Sequence, residues 1–338
     1  MTKYLSGKLT VLYTLLIIMV VYIHSYYPQG ETYPLADFIQ KFTGPGICSV
    51  ANCLFFTISG YLFARNITDS NSAVKKSLKR IKSLLPPYIL WNIFFVLIYV
   101  ILDLIPGLSR FNNSCGTIWQ IIHQPIGDTL HYLFIAPAAF QLWFIRDLLV
   151  MFLVSPILCY IAQKSWLFAF ILAWVSTFIY GWLIYFWIGI ILGINHYNIE
   201  IYCRESWIVV TCGFVYIGYA LANALWGGYL HPTIHALINL ISIYFIWAIY
   251  DKLAQGRIIS GRGIWKYICG YSFFIYCFHE PALNIFKKLA LAVCGINQWS
   301  IIIFYFLNPL LMVVAAVIIA RFLKNYTPKV YALLTGGR

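Results

Sequence analysis

Apolar runs long enough to cross a bilayer recur in this chain from Leu9 to Leu323, and no block of soluble character separates them. About 20 apolar residues span a hydrocarbon core as a helix, and only helices or closed barrels satisfy their own backbone amides in lipid. With 62% hydrophobic and 10% charged residues, too little polar surface remains to coat a soluble globule. Segmentation places spans at roughly 9–27, 46–64, 83–102, 141–161, 165–180, 182–195, 206–226, 230–250, 265–283 and 299–321. The expected fold is all-α: one domain over residues 1–338, a polytopic membrane helix bundle of about ten transmembrane helices. Residues 165–195 are the ambiguous stretch, readable as two short spans or as one long helix with a re-entrant piece.

The first run is expected to stay as a helix. It is longer than the apolar core of a secretory leader, and Tyr26, Tyr27 and Pro28 stand where cleavage needs small residues. With the N-terminus inside, 18 basic residues fall in inner loops and tails and 4 in outer ones (Lys41, Arg110, Lys287, Lys288), which places both termini in the cytoplasm. The net charge of +13 therefore reports topology, and no nucleic-acid partner is expected. Most of the nine cysteines lie inside apolar runs as small hydrophobes, without zinc-type spacing. Cys115 and Cys294 are the two that would meet in an oxidising outer compartment.

Ionisable residues inside the spans are the candidate functional groups. His24 lies toward the outer end of the first span, and Tyr13, Ile17, Val20 and His24 follow one helix face. The residue is either an inert histidine near the headgroups or a cavity group. In the second span small Ser59 and Gly60 permit close helix approach, and Asn52 lies two turns before Ser59 on the same face, which favours a packing role for the three. The inner run Lys75, Lys76, Lys79, Arg80, Lys82 has helical spacing, with Pro86 and Pro87 opening the third span. It suits anionic headgroups and a donor's phosphates equally well. Residues 103–140, with His123, Asp128 and His131, form the longest outer segment and a natural acceptor-facing region. The fourth span opens with Trp143, Arg146 and Asp147; adjacent residues do not face one another around a helix, so the two charges are expected to find partners on other helices, either as an ion-paired structural clamp or as part of the site. His231 and His235 lack a third ligand nearby, and no metal is expected there. In the ninth span Ser272, Tyr276 and His279 share a face and Glu280 follows; a second histidine near an outer end points to a cavity shared with His24.

Taken in order, Leu54-Phe55-Phe56-Thr57-Ile58-Ser59-Gly60-Tyr61-Leu62, the basic run into Leu85-Pro86-Pro87-Tyr88-Ile89-Leu90-Trp91, the helix from Leu142-Trp143-Phe144 to Ser155-Pro156, and Tyr271-Ser272-Phe273-Phe274-Ile275-Tyr276 with His279 resemble the acyltransferase 3 family of bacterial membrane acyltransferases. The resemblance implies transfer of an acyl group, acetyl or another short one, from cytoplasmic acyl-CoA to a hydroxyl of a cell-surface glycan or glycolipid, in the bacterial inner membrane. It also implies that His24, which matches the family's histidine, is catalytic. The family's Arg or Lys ahead of that histidine is Tyr13 here, so its charge is absent or supplied by another residue such as Lys8.

Acyl transfer to an alcohol needs a base and an oxyanion partner, and His24 has the right chemistry for the base. The basic run with Tyr13 would handle the donor. Trp143, Arg146, Asp147, Ser272, Tyr276, His279 and Glu280 would line the cavity or hold the acceptor. No cofactor beyond the acyl-CoA co-substrate is expected; membrane lipids are the other partners, and the oligomeric state stays open. A transporter or flippase for a glycan or lipid remains the competing class, since it too would carry intramembrane ionisable groups.

Overall fold

The computed structural model describes residues 1–28, 32–105, 139–200, 205–227, 230–258 and 263–337, with isolated positions between 125 and 137. Cys115, His123 and Asp128, and with them Arg110, Arg204, Arg262 and Arg338, lie outside the described residues. All regular structure among the described residues is helical, without strands. In chain order the helices are α1 (Lys3–Ile23), α2 (Pro34–Lys41), a π-helical turn (Phe42–Cys48), α3 (Val50–Ala64), α4 (Ser70–Leu104), α5 (Trp143–Lys164), α6 (Trp166–Val175), α7 (Leu183–Ile194), α8 (Ser206–Trp226), α9 (Pro232–Ala254), α10 (Ile264–Cys269), α11 (Ser272–Cys294), α12 (Gln298–Tyr326) and α13 (Pro328–Thr335).

Among the described residues, 7 helical stretches are long and apolar enough to cross a membrane. Helix α11 has the length, at 23 residues, but carries Glu280, Lys287 and Lys288. The ambiguous stretch resolves into the short helices α6 and α7, of 10 and 12 residues, joined through a 3-10 turn at Ser176–Phe178. At 1.5 Å per residue neither reaches the roughly 30 Å of a hydrocarbon core. On α12, Ile303, Leu310, Val314 and Ile318 are exposed while Tyr305, Met312, Ala316 and Ala320 are buried. Such an apolar exterior suits lipid as solvent.

Small residues decide the tightest crossing. Helices α3 and α7 approach so closely that a Cβ at Gly60 would stand 2.1 Å from the Phe186 carbonyl oxygen, and one at Gly189 would stand 2.1 Å from that of Thr57. Backbone contact of this kind replaces the hydrophobic drive that lipid cannot provide.

Helix α4 departs from the sequence reading. Asp69 caps it by accepting from the Ser72 amide at 2.7 Å, Ser72 bonds back to Asp69, and the helix then runs 35 residues without a break. Pro86 and Pro87 lie inside it and do not open it. Each removes one backbone donor and frees a carbonyl one turn earlier. The one freed by Pro87 belongs to Ser83, and Gly336 packs directly against it.

Helix α1 is tied to α9 by a buried ion pair: the Lys8 ammonium lies 2.8 Å from Asp251, 4.0 Å from the centre of the Trp247 ring, and Tyr4 donates to the same carboxylate at 2.7 Å. Removing one member strands the other charge, so Lys8→Met is expected to destabilise the protein by about 3–5 kcal/mol. The check is the thermal midpoint of the purified protein in detergent; Lys8→Met with Asp251→Leu should recover most of the loss.

Candidate active site

A cavity of about 450 Å³ opens between α1, α3, α4, α5, α11 and α13. Its walls are mostly apolar and aromatic. Tyr13, Ile17 and Val20 come from α1, Asn52, Phe55 and Ser59 from α3, Phe144 and Leu148 from α5, Ser272, Phe273 and Tyr276 from α11, and Tyr331 and Thr335 from α13. Among the described residues, Arg80 is the one cation in the lining. Tyr13 stacks on Phe55 with ring centres 5.6 Å apart. Asn52 and Ser59 thus face the cavity, where the sequence favoured packing; Gly60, the next residue round the helix, does pack.

Two lining residues, Val20 and Tyr276, each lie one turn from a histidine. Helix α1 ends at Ile23 and His24 is its C-cap. The ring of His24 lies 5.1 Å from that of His279 and 5.1 Å from that of Phe140. His279 is fully buried, and its Nδ1 lies 2.6 Å from the Tyr276 carbonyl. A carbonyl can only accept, so Nδ1 carries a proton, and in the neutral form of the ring Nε2 is then an acceptor. That Nε2 has no partner among the described residues, and neither has Oε2 of Glu280, whose Oε1 accepts from Asn284 at 2.8 Å. Nitrogen and carboxylate atoms of His24, His279 and Glu280 all lie within 4.8 Å of one another. Two buried acceptors without donors, beside a third group, form a place where a hydroxyl or another proton donor would be satisfied.

These donor types also suit a cation. Against that, the Lys287 ammonium donates to the backbone carbonyls of His24 at 3.0 Å and Tyr26 at 3.4 Å, which holds a positive charge at this end of α1. A divalent ion would have to sit against that positive charge. Lys287 belongs to the site although the sequence reading left it in an outer loop. The available signal was the series Glu280, Asn284, Lys287 at helical steps of four and three, which continues α11 beyond the end assigned to the ninth span.

The other sequence candidates divide. Of the basic run, only Arg80 lines the cavity. Lys76 is half-buried and donates to the Leu62 carbonyl at 3.2 Å, while Lys75, Lys79 and Lys82 are exposed. Lys8, suggested as a substitute for the missing charge near Tyr13, is held in its pair with Asp251 outside the lining. Trp143 packs in an aromatic cluster with Trp182, ring centres 5.2 Å apart, outside the cavity. Arg146 and Asp147 pair with each other at 2.7 Å, against the expectation from their adjacent positions, and each also meets a partner outside α5. At the first turn of α5 the long arginine chain folds back along the helix, donating also to the Ile135 carbonyl at 2.5 Å, while Asp147 accepts from Tyr180. The pair is a clamp, and it lies outside the cavity lining. Ser25 donates to the Tyr305 carbonyl at 2.8 Å and is turned away from His24 as a nucleophile.

A sequence-family model described as an acyltransferase domain matches residues 8–321. The succinoglycan biosynthesis protein ExoH of Rhizobium meliloti (strain 1021) is 27% identical over 362 aligned positions, covering 98% of this chain and 92% of that protein. No solved structure matches.

Proposed function

The chain belongs to the acyltransferase family matched over residues 8–321, and on that premise we propose that it moves a short acyl group from acyl-CoA on the cytoplasmic side to a hydroxyl of a surface glycan or glycolipid. The observation that carries this reading is a mostly apolar cavity lined by Arg80, with the His24–His279–Glu280 group one turn along α1 and α11 from its lining residues Val20 and Tyr276. The donor's phosphates meet Arg80 and the exposed lysines around it, and the pantetheine arm lies along the aromatic walls. The thioester reaches the histidine end past Tyr276.

At that end His24 takes the proton of the acceptor hydroxyl as its oxygen attacks the thioester carbonyl. The carbon–sulfur bond breaks, CoA leaves as the thiolate, and the proton held on His24 returns to it. Glu280 faces the imidazolium that forms, held in place by Asn284, and favours that charge. The Nε2 of His279 accepts from a neighbouring hydroxyl of the glycan and so orients the acceptor. Lys287 has a third N–H beyond its two carbonyl bonds, the nearest fixed charge for a developing oxyanion. The glycan acceptor is suggested by the succinoglycan named for the relative, and a bacterial cytoplasmic membrane with the Arg80 end and both termini inside follows from the basic-residue asymmetry.

The test is to incubate the purified protein with labelled acyl-CoA and follow transfer and hydrolysis. Arg80→Gln is expected to raise KM for acyl-CoA by about tenfold and to change kcat much less, because a phosphate contact remote from the reacting carbon is uniform binding. An unchanged KM would remove Arg80 from the donor site.

A further inference from the structure

The family match ends at residue 321, yet the cavity does not. Its wall at the Arg80 end includes Tyr331 and Thr335 of α13, a helix contributed wholly by the segment beyond that match. Both side chains are buried. The helix is seated by specific contacts: Trp91 Nε1 donates to the Leu334 carbonyl at 2.9 Å, and the Tyr331 ring stacks on Phe274 at 6.2 Å. Immediately after it comes Gly336, with φ +65° and room for no Cβ, since one would stand 2.1 Å from the Ser83 carbonyl oxygen. That carbonyl is available because Pro87 gives it no intrahelical donor.

A helix whose only task was to close the bundle would fill the space beneath it. The segment is instead docked at backbone distance on α4 through Gly336, and Tyr331 and Thr335 still line the open cavity that Arg80 also lines. The Thr335 hydroxyl donates to the Tyr331 carbonyl at 2.8 Å. With mostly apolar walls and an arginine in the lining, the chemistry that fits is a narrow, mostly apolar chain behind an anionic head.

We propose that α13 is the donor-selecting wall of this acyltransferase: Tyr331 and Thr335, opposite Arg80, bound the passage taken by the pantetheine arm of acyl-CoA, so the chain's own C-terminal segment sets donor affinity. This rests on the reading of the Arg80 end as the donor entrance.

Binding of CoA itself to the full-length protein in detergent tests it. Thr335→Trp, which fills the passage, is expected to weaken CoA binding by at least about tenfold, whereas Leu333→Trp, on the exposed face of the same helix, leaves it unchanged. If the tryptophan at 335 prevents folding, Tyr331→Ala is read instead, with a loss of about fivefold expected as the arm loses its aromatic contact. Normal CoA affinity in the folded Thr335 variant, or in the Tyr331 variant if that one is read, alongside weakened binding in Arg80→Gln, overturns the role of α13 alone. Failure of the wild-type protein to bind CoA removes the donor-entrance reading, and this inference with it.

Discussion

His24→Ala is expected to lower the rate of acyl transfer by a factor of about 10²–10⁴, the usual worth of a positioned general base, while the protein stays folded. His24 is half-buried at a helix end, and the Lys287 bond that anchors this end goes to its backbone carbonyl. An alanine therefore keeps the anchor and loses only the ring. Transfer of label from acyl-CoA, measured beside the melting profile, separates the two effects. Most of the activity surviving with an unchanged profile would take the base role away from His24.

Gly189→Leu should have the largest effect on folding. The neighbour of a Cβ at this position is the Thr57 carbonyl oxygen at 2.1 Å, with the Tyr61 amide nitrogen at 2.8 Å. Backbone inside a packed helix cannot swing aside as a side chain can, so α3 and α7 must separate, at a cost above the roughly 4–5 kcal/mol that marks exceptional substitutions. We expect almost no monodisperse protein after extraction and gel filtration. Gly218→Ala, with nothing within 4 Å of the added carbon, should give normal yield. Comparable yields from both variants would mean the crossing is looser than described.

Helix positions were legible because lipid permits little else: each apolar run became helix, and the face linking Tyr13, Ile17 and Val20 became a cavity wall. The stripe Ser272, Tyr276, His279 also came together with α1, as a period of 3.6 requires. What sequence spacing missed depended on side-chain length or on distant packing. Adjacent Arg146 and Asp147 pair because a guanidinium on a flexible stem can reach back over its own helix, which residue spacing does not register. Lys287 joined the His24 end because α11 continues past the point where hydropathy falls, and hydropathy cannot tell a charge in a loop from one turned into a bundle. The wall formed by α13 follows from a bare carbonyl in α4 and a glycine some 250 residues later, a pairing no local pattern contains. Pro86 and Pro87 looked like a helix start because proline is at home there, yet Asp69 and Ser72 had already begun the helix four turns earlier.

That early start bears on how this membrane protein can be engineered. The segment between the second and third apolar runs looks, by hydropathy, like a generous connector suited to an epitope tag or a topology reporter. In fact the turn is confined to the few residues from Arg65 to Asp69, and from Ser70 onward the chain is one continuous rod. At 1.5 Å per residue it is about 50 Å long. A tag between Lys82 and Pro86 would cut the rod beside the carbonyl that receives Gly336, while one at Asn66–Thr68 would lengthen a surface bend and leave the rod whole.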